Sequence, residues 1–387
     1  MQIDFVGIVL IVGAIQGFAL SFLIFQKGRS LFANRFLYLL MIVFSVTLVS
    51  LWLSDLGYYI TYPKLMFTFE GVQLAIFPLY FLYSKYLTGN EDDFNKKDWI
   101  HFLPFIFYKT FLISFYLMNP KEISDFLNST LFANHPLQYI IFNWILIIQG
   151  LIYLMLVIKR AKKRDEFIDN HFSSSYNVKL DWLRNASYLG ILTTLVFLVE
   201  NILLFINNSL SETFGLSSVA AGIYIYAIGY LGFSRSGVFT ELVDIESEEI
   251  GKEETTNYKY EKSGLSKEKA DEFYQKLIQL MEEEKIFTQI KLTLGELAEM
   301  IPISSHNLSE VINTKTGMNF FDFVNRYRIE EVKKNIVNPE NSNITILAIA
   351  IDTGFNSKSS FNTLFKKYEK ATPSGYKNEY LNSKSNY

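Results

Sequence analysis

Two polar clusters near the C-terminal end of the sequence hold side chains suited to recognising nucleic acid. Asparagine, serine and histidine can hydrogen-bond to the edges of bases, whereas lysine neutralises phosphate. At helical spacing the members of each cluster face outward together. The candidate contact residues are Ser305, His306, Asn307, Ser309 and Asn313 in the first cluster, and Ser357, Lys358, Ser359, Asn362, Thr363, Lys366 and Lys367 in the second.

The first cluster lies in a predicted pair of short helices at about residues 292–314. Pro302 cannot continue the helix before it, so the chain turns there. Either Ser304 or Ser305 can cap the helix that follows. Apolar residues at helical spacing give each helix one buried face, formed by Leu294, Leu297 and Ala298 and then by Leu308, Val311 and Ile312.

The second cluster lies in a similar predicted pair at about residues 344–368. Gly354 permits the positive φ that the turn between the helices needs, and Phe355 fills the space beneath it. Ser357 can cap the second helix. The buried faces are formed by Ile346, Ile349 and Ala350 and then by Phe361, Leu364, Phe365 and Tyr368.

Residues 291–377 as a whole resemble the AraC/XylS-type DNA-binding domain, over about a quarter of the chain. The first half of the resemblance is the stretch LTLGELAEMIPISSHNLSEVINTKTGMNFFDFVNRYRIEEVKK. The second half is carried by Gly354-Phe355, Ser357, Ser360-Phe361, Phe365-Lys366-Lys367, Thr372-Pro373 and Tyr376. Two positions depart from the family pattern, since Lys370 stands where Gly is common and Lys377 where Arg is common.

The resemblance implies an all-helical domain of two lobes joined by a long central helix, here at about residues 319–337. It also implies that each lobe places one recognition helix in a major groove of double-stranded promoter DNA, the two grooves lying roughly 34 Å apart. By the family motif, residues 304–313 and 357–367 carry the base and phosphate contacts.

The charge of this region is nearly balanced. Residues 291–387 contain 12 Lys and Arg against 10 Asp and Glu, so a general attraction to DNA is weak. We therefore expect binding to depend on a local stripe of charge and on formation of a homodimer. RNA polymerase is a candidate further partner.

The N-terminal part of the chain is apolar to an extent typical of a membrane protein. We do not expect the first apolar run to be a cleaved signal peptide, because its start carries Asp4 and no Lys or Arg. The runs are apolar nearly all round, which favours the lipid bilayer over a soluble core. Seven runs approach membrane length, at about residues 3–26, 31–54, 63–87, 99–118, 136–158, 183–207 and 214–234.

The basic residues between these runs predict their direction. We number the loops in chain order, so that loop 1 follows the first run. Loops 1, 3 and 5 contain thirteen Lys and Arg, whereas the even-numbered loops contain only Lys64 and Lys121. By the positive-inside rule the odd-numbered loops are cytoplasmic. We therefore expect a multi-pass protein of a bacterial inner membrane, with its N-terminus outside and the region after Arg235 in the cytoplasm.

Three ionisable residues inside the predicted spans are candidates for binding a signal: Glu70, Lys109 and Glu200. Charged groups at this depth are costly and usually functional. They either line a ligand cavity or pair with one another structurally. Gly13 and Gly17 form a GxxxG pattern that indicates close helix packing, within a protomer or between two.

The sequence thus divides into three regions. The predicted fold is all-α, with a seven-helix transmembrane bundle at 1–236, an acidic linker at 237–265 and a bipartite helix-turn-helix domain at 266–387. A helix capped by Ser266 is expected to lead into that domain.

No enzyme motif is present, and the chain has no cysteine. We therefore expect no catalytic residues, no cofactor and no metal site. The sequence favours a membrane-bound transcription regulator that responds to a small-molecule or protein signal. Two alternatives remain: a transporter or membrane enzyme with an appended DNA-binding domain, and a membrane anchor that docks a separate sensor.

Overall fold

A computed structural model describes residues 5–27, 31–89, 93–126, 137–173, 180–206, 214–234 and 266–385. These residues are almost entirely helical, as predicted, and contain no β-strand beyond one isolated bridge between Phe172 and Thr293. The predicted acidic linker at 237–265 lies outside the described residues.

The chain divides into two compact units. The first comprises Met1–Lys163 and Leu180–Glu241, and the second comprises Arg164–Lys179 and Leu242–Tyr387. The grouping of residues after 163 with the C-terminal unit was not anticipated from the sequence.

The first unit is built from long apolar helices and several short ones. In chain order they are α1 (Phe5–Lys27), α2 (Asn34–Asp55), α3 (Tyr58–Thr61), α4 (Pro63–Phe69), α5 (Ile76–Thr88), α6 (Leu103–Leu117), α7 (Pro120–Phe126), α8 (Leu137–His171, whose last residues belong to the second unit), α9 (Asp181–Ile206) and α10 (Phe214–Ser234).

Among the described residues, six segments are long and apolar enough to cross a membrane: Val6–Gln26, Asn34–Asp55, Pro63–Thr88, Lys96–Leu117, Ile140–His171 and Asp181–Leu203. The seventh predicted run corresponds to α10, and the apolar segment found there among the described residues, Leu216–Ile228, is shorter than the other six. Large apolar side chains such as Phe107 and Leu117 are 71% and 83% exposed, which suits a lipid environment better than water. The predicted direction of the spans is not tested by the structure.

The third and fourth predicted runs are each interrupted. Between α4 and α5 the backbone is extended at Glu70 and left-handed at Gly71 (φ +81°), and a 3₁₀ turn follows at Val72–Ala75. The fourth run begins as a 3₁₀ helix, Lys96–Phe102, before α6 starts. Apolar composition alone does not reveal such breaks, because it reports burial in lipid and not backbone continuity.

Helices α1 and α2 pack closely through the predicted GxxxG pattern. A methyl group at Gly13 would lie 2.8 Å from Leu48 Cδ1, and one at Gly17 would overlap Ser45 Oγ. The two glycines therefore bring the helices together within one chain, where Leu40 and Leu48 are fully buried.

In the part of the second unit that the structure describes, seven further helices follow: α11 (Lys267–Glu282), α12 (Leu294–Met300), α13 (Ser305–Thr316), α14 (Phe320–Val337), α15 (Ile346–Asp352), α16 (Lys358–Glu369) and α17 (Pro373–Ser385). Helix α14 is the central helix, and Asn319 caps it.

Helix α14 supplies residues to two separate hydrophobic cores. Phe320, Phe323 and Val324 pack with apolar residues of α11, α12 and α13 to form lobe 1. Phe321 and Val332 pack with apolar residues of α15 and α16 to form lobe 2. The arrangement has the two lobes and the central helix that the resemblance implies.

Candidate nucleic-acid interface

Helix α13 presents the first polar cluster at the surface of lobe 1. Thr293 and Glu296 form a capping box at the start of α12, and Ser304, not Ser305, caps α13 by accepting the Asn307 N–H at 3.2 Å. Leu308 and Ile312 are fully buried and fix the rotation of α13. On its other faces, His306 and Asn313 are exposed, while Ser305, Asn307 and Ser309 are partly exposed.

Helix α16 presents the second cluster at the surface of lobe 2. The turn before it has Gly354 at φ +99°, and Ser357 caps the helix by accepting the Ser360 N–H at 3.2 Å, as predicted. Phe361 and Phe365 are buried beneath it. Ser357 is partly exposed, and the exposed members of the cluster are Lys358, Ser359, Asn362, Thr363, Lys366 and Lys367.

The structure distinguishes two lysines that the sequence treated as equivalent. Lys367 Nζ donates to Asp322 Oδ1 on α14 at 2.6 Å, and the Tyr368 hydroxyl donates to the same oxygen at 2.5 Å. Burial and the neighbouring carboxylate of Asp322 raise the pKa of Tyr368, so its hydroxyl keeps the proton. Lys366 points into solvent. Lys366 is therefore the better placed of the two to meet phosphate.

Arg328 is a buried residue that the sequence reasoning did not single out. Its Nε donates to Phe287 O at 2.7 Å, its Nη2 to Gln289 O at 2.6 Å and its Nη1 to Asn325 Oδ1 at 3.3 Å. Burial lowers the pKa of Arg328 to about 10, so the guanidinium stays charged at neutral pH. A methyl group at Gly354 would lie 2.9 Å from Nε. Arg328 thus joins the chain before α12 to the turn of lobe 2.

Lys370, one of the two departures from the family pattern, follows α16 in the left-handed conformation, with φ +57°. Glycine adopts this conformation without steric cost, which explains why glycine is common there. The lysine ammonium donates to Lys367 O at 2.9 Å.

Two of the three candidate signal residues lie close together. Glu70 accepts the Tyr108 hydroxyl at 2.7 Å, and the neighbouring Lys109 donates to the carbonyls of Phe67 and Thr68 at 3.2 and 2.9 Å. Glu70 lies at the break that follows α4, and Lys109 reaches the end of α4 from α6.

Glu200 has a different partner, because its carboxylate accepts the backbone N–H of Ser217 at 2.8 Å and so joins α9 to α10. Its other oxygen is buried and has no hydrogen-bond partner among the residues that the structure describes. Asn143 donates to Asn201 at 2.7 Å, which is the interhelical hydrogen bonding expected of such side chains. In the part of the chain that the structure describes, no group of three or more His, Asp or Glu could hold a metal ion.

Comparison with known proteins supports a DNA-binding role for the second unit. Residues 297–379 match the family described as Helix-turn-helix domain. Relatives from Staphylococcus aureus strains COL, MSSA476 and N315, each named as an uncharacterized HTH-type transcriptional regulator, are 34% identical over 88 residues. That alignment covers 23% of this chain, and the chain spans only 11% of the relatives' length.

No solved structure gives a significant match. The region that matches the helix-turn-helix family contains α13 and α16, two serine-capped helices with polar outer faces, whose lobes share the central helix α14. The C-terminal part of this chain is an AraC-type helix-turn-helix domain of the kind found in transcriptional regulators.

Proposed function

We propose that this protein is a membrane-integrated transcription regulator whose C-terminal unit binds double-stranded promoter DNA directly. The observation that carries the proposal is the pair of helices α13 and α16, each capped by serine and each bearing Asn, Ser or Lys on its outer surface. Such helices fit the major groove, where asparagine reads adenine and lysine holds phosphate.

The near balance of charge in this region shapes the proposal further. A domain with so few excess cations binds non-specific DNA weakly, so specificity rests on base contacts and on the two-lobed geometry. A homodimer that engages two sites at once strengthens binding without new contacts. RNA polymerase is a candidate partner at the promoter.

The experiment is DNA binding by the intact protein in lipid nanodiscs, measured on promoter fragments across a salt series. We expect sequence-specific binding that Asn307→Ala weakens, while Lys64→Ala, a change in the other unit, leaves it unchanged. Absence of specific binding even at low salt would reject the proposal.

The proposal also places the protein in the bacterial inner membrane with its N-terminus outside and its C-terminus in the cytoplasm. It rests on the asymmetry of Lys and Arg between odd and even loops and on seven spans, namely the six long apolar segments found among the described residues and the shorter segment Leu216–Ile228. Reporter fusions after residues 60, 130 and 210 should read as outside, and those after 92, 170 and 240 as cytoplasmic. An outside reading at 240 would separate the DNA-binding unit from the chromosome.

The signal-binding site in this proposal includes the break between α4 and α5, where Glu70 and Lys109 lie near each other. An interrupted helix inside a membrane is tolerated where it lines a cavity or is buried in protein. Because Glu70 already accepts a hydrogen bond from Tyr108, a ligand that binds there must compete with or extend that contact. Glu70→Gln and Lys109→Met should each abolish the response to the signal, while DNA binding without signal persists. If a variant loses both the response and DNA binding, the changed residue is needed for folding and not for signal binding.

A further inference from the structure

The segment directly after helix α8 docks onto the DNA-binding unit. Phe172 forms an antiparallel bridge with Thr293, the residue that caps α12. The Ser173 backbone N–H donates to Leu292 O at 3.1 Å, and its hydroxyl donates to the same oxygen at 2.6 Å. Ser173 is 1% exposed. Ser173 is therefore buried against the residues at which the first helix-turn-helix pair begins.

The central helix α14 completes the site that holds Ser173. Asn325 Nδ2 and Arg328 Nη1 both donate to Ser173 O, at 2.8 and 3.2 Å, and Arg328 Nη2 donates to Ser173 Oγ at 3.2 Å. Asn325 and Arg328 are each only 1% exposed. The side-chain oxygen and the backbone carbonyl oxygen of Ser173 thus both accept hydrogen bonds from buried donors.

A buried guanidinium needs a partner for each of its donors. Arg328 satisfies part of that need within the unit, through Phe287 O and Gln289 O, and Ser173 supplies two further acceptors. Removing Ser173 from this position leaves buried N–H groups of Arg328 without acceptors. The site consequently favours a hydrogen-bonding residue there over an apolar one.

The C-terminal end of α8 also acts on a residue of lobe 2. Asp169 lies close enough to Tyr368 to help raise the pKa of that phenol, alongside Asp322. Tyr368 and Lys367, at the end of α16, both donate to Asp322. Asp169 thus acts on lobe 2 electrostatically, whereas the hydrogen bonds of Ser173 join it to lobe 1 and to the central helix.

We propose that Phe172–Ser173 is an intramolecular docking segment, and that the buried groove formed by Leu292, Asn325 and Arg328 is its receptor in the DNA-binding unit. Because Arg328 contacts the chain before α12 and the Gly354 turn before α16, occupancy of the groove sets the geometry of both candidate recognition helices. The docking segment is continuous with α8, whose Ile140–His171 stretch is a candidate membrane span. A movement of that helix would therefore be transmitted to the helices that read DNA. The regulatory meaning rests on the proposed function, whereas docking itself does not.

Because the chain contains no cysteine, two introduced cysteines can form a disulfide only with each other within one molecule. Residues paired across an antiparallel bridge have Cβ atoms about 4.5–5.5 Å apart, which a disulfide can span with a small adjustment. Full-length protein in nanodiscs carrying Phe172→Cys and Thr293→Cys should form an intramolecular crosslink on mild oxidation. Each single-cysteine variant is a matched control that cannot form it. Failure of the folded double variant to crosslink overturns the docking.

Coupling is then measured as the affinity of the oxidised and reduced double variant for the cognate promoter. We expect a change of at least about fivefold, the lower end of ordinary coupling between sites. Equal affinities would overturn the coupling while leaving the docking intact. If the wild-type protein binds no DNA at all, the proposed function fails, yet the crosslink still reports on docking.

Serine variants guard against a misfolded cysteine pair. Ser173→Val removes the hydroxyl and should accelerate hydrogen exchange at the start of α12 and along α14. Ser173→Thr keeps the hydroxyl and should restore most of the protection. Equal exchange in both variants would contradict the role assigned to the hydroxyl.

Discussion

The turn before α16 gives the sharpest prediction for stability, because two glycines in this unit share a positive φ but differ in the space around them. Gly354 and Gly317 both have positive φ, +99° and +69°. A methyl group at Gly317 would meet nothing within 4 Å, whereas one at Gly354 would lie 2.7 Å from Phe287 O and 2.9 Å from Thr288 O. Alanine therefore probes conformational strain alone at Gly317, and strain plus collision with backbone atoms at Gly354.

The expected magnitudes follow from these contacts. Left-handed backbone costs a non-glycine residue about 1–2 kcal/mol, partly offset by about 0.4–1 kcal/mol from a less flexible unfolded chain, so Gly317→Ala should destabilise by about 1 kcal/mol. Gly354→Ala adds an overpacking cost of about 1–3 kcal/mol, because carbonyl groups cannot rotate away as a flexible side chain can. We expect about 3 kcal/mol in total.

The assay is hydrogen–deuterium exchange of the intact protein, followed at the slowest amides of the lobe that carries each change. A loss of about 1.4 kcal/mol corresponds to a tenfold faster exchange. Gly354→Ala should accelerate exchange in α15 and α16 by about a hundredfold, and Gly317→Ala should accelerate exchange in α13 by about tenfold or less. Similar effects at the two sites would refute the reasoning from backbone collision.

Four further substitutions test the proposed interface and the left-handed residue that follows α16. Asn307→Ala should weaken cognate binding by about 1–3 kcal/mol and scarcely affect scrambled duplexes, as a base contact would. Lys366→Ala should weaken all sequences alike and reduce the salt slope by about one unit, whereas Lys367→Ala should change the slope less, because Asp322 already engages that ammonium; equal slopes would contradict the distinction. Lys370→Gly should raise the unfolding free energy by about 0.5–1 kcal/mol in urea denaturation, since it relieves left-handed backbone, and no gain would contradict that account.

Local signals in the sequence were enough to predict the small helices of the second unit. The caps Ser266 and Ser357 and the positive φ at Gly354 are properties of a few consecutive residues, so they could be read without a structure. The apolar runs could also be predicted from the sequence, because a membrane requires a spanning helix to have a certain length and an apolar composition.

Contacts between distant parts of the chain could not be predicted in this way. The ion pair of Lys367 with Asp322 joins residues 45 positions apart, and Ser173 meets Arg328 across 155 positions. Arg328 itself looks like one more polar residue on a helix until its burial is known. The break at Glu70 and Gly71 also escaped notice, since one glycine inside an apolar run is compatible with a continuous helix.

The central claim is that a protein held in the membrane binds promoter DNA, and genome-wide DNA crosslinking tests it most directly. The intact protein is crosslinked in living cells, recovered from the membrane fraction as a full-length chain, and the attached DNA is sequenced. The account predicts discrete enriched segments upstream of genes, which are lost when Asn307→Ala and Lys366→Ala are combined. Uniform DNA recovery, or enrichment found only with a fragment released from the membrane, would contradict it.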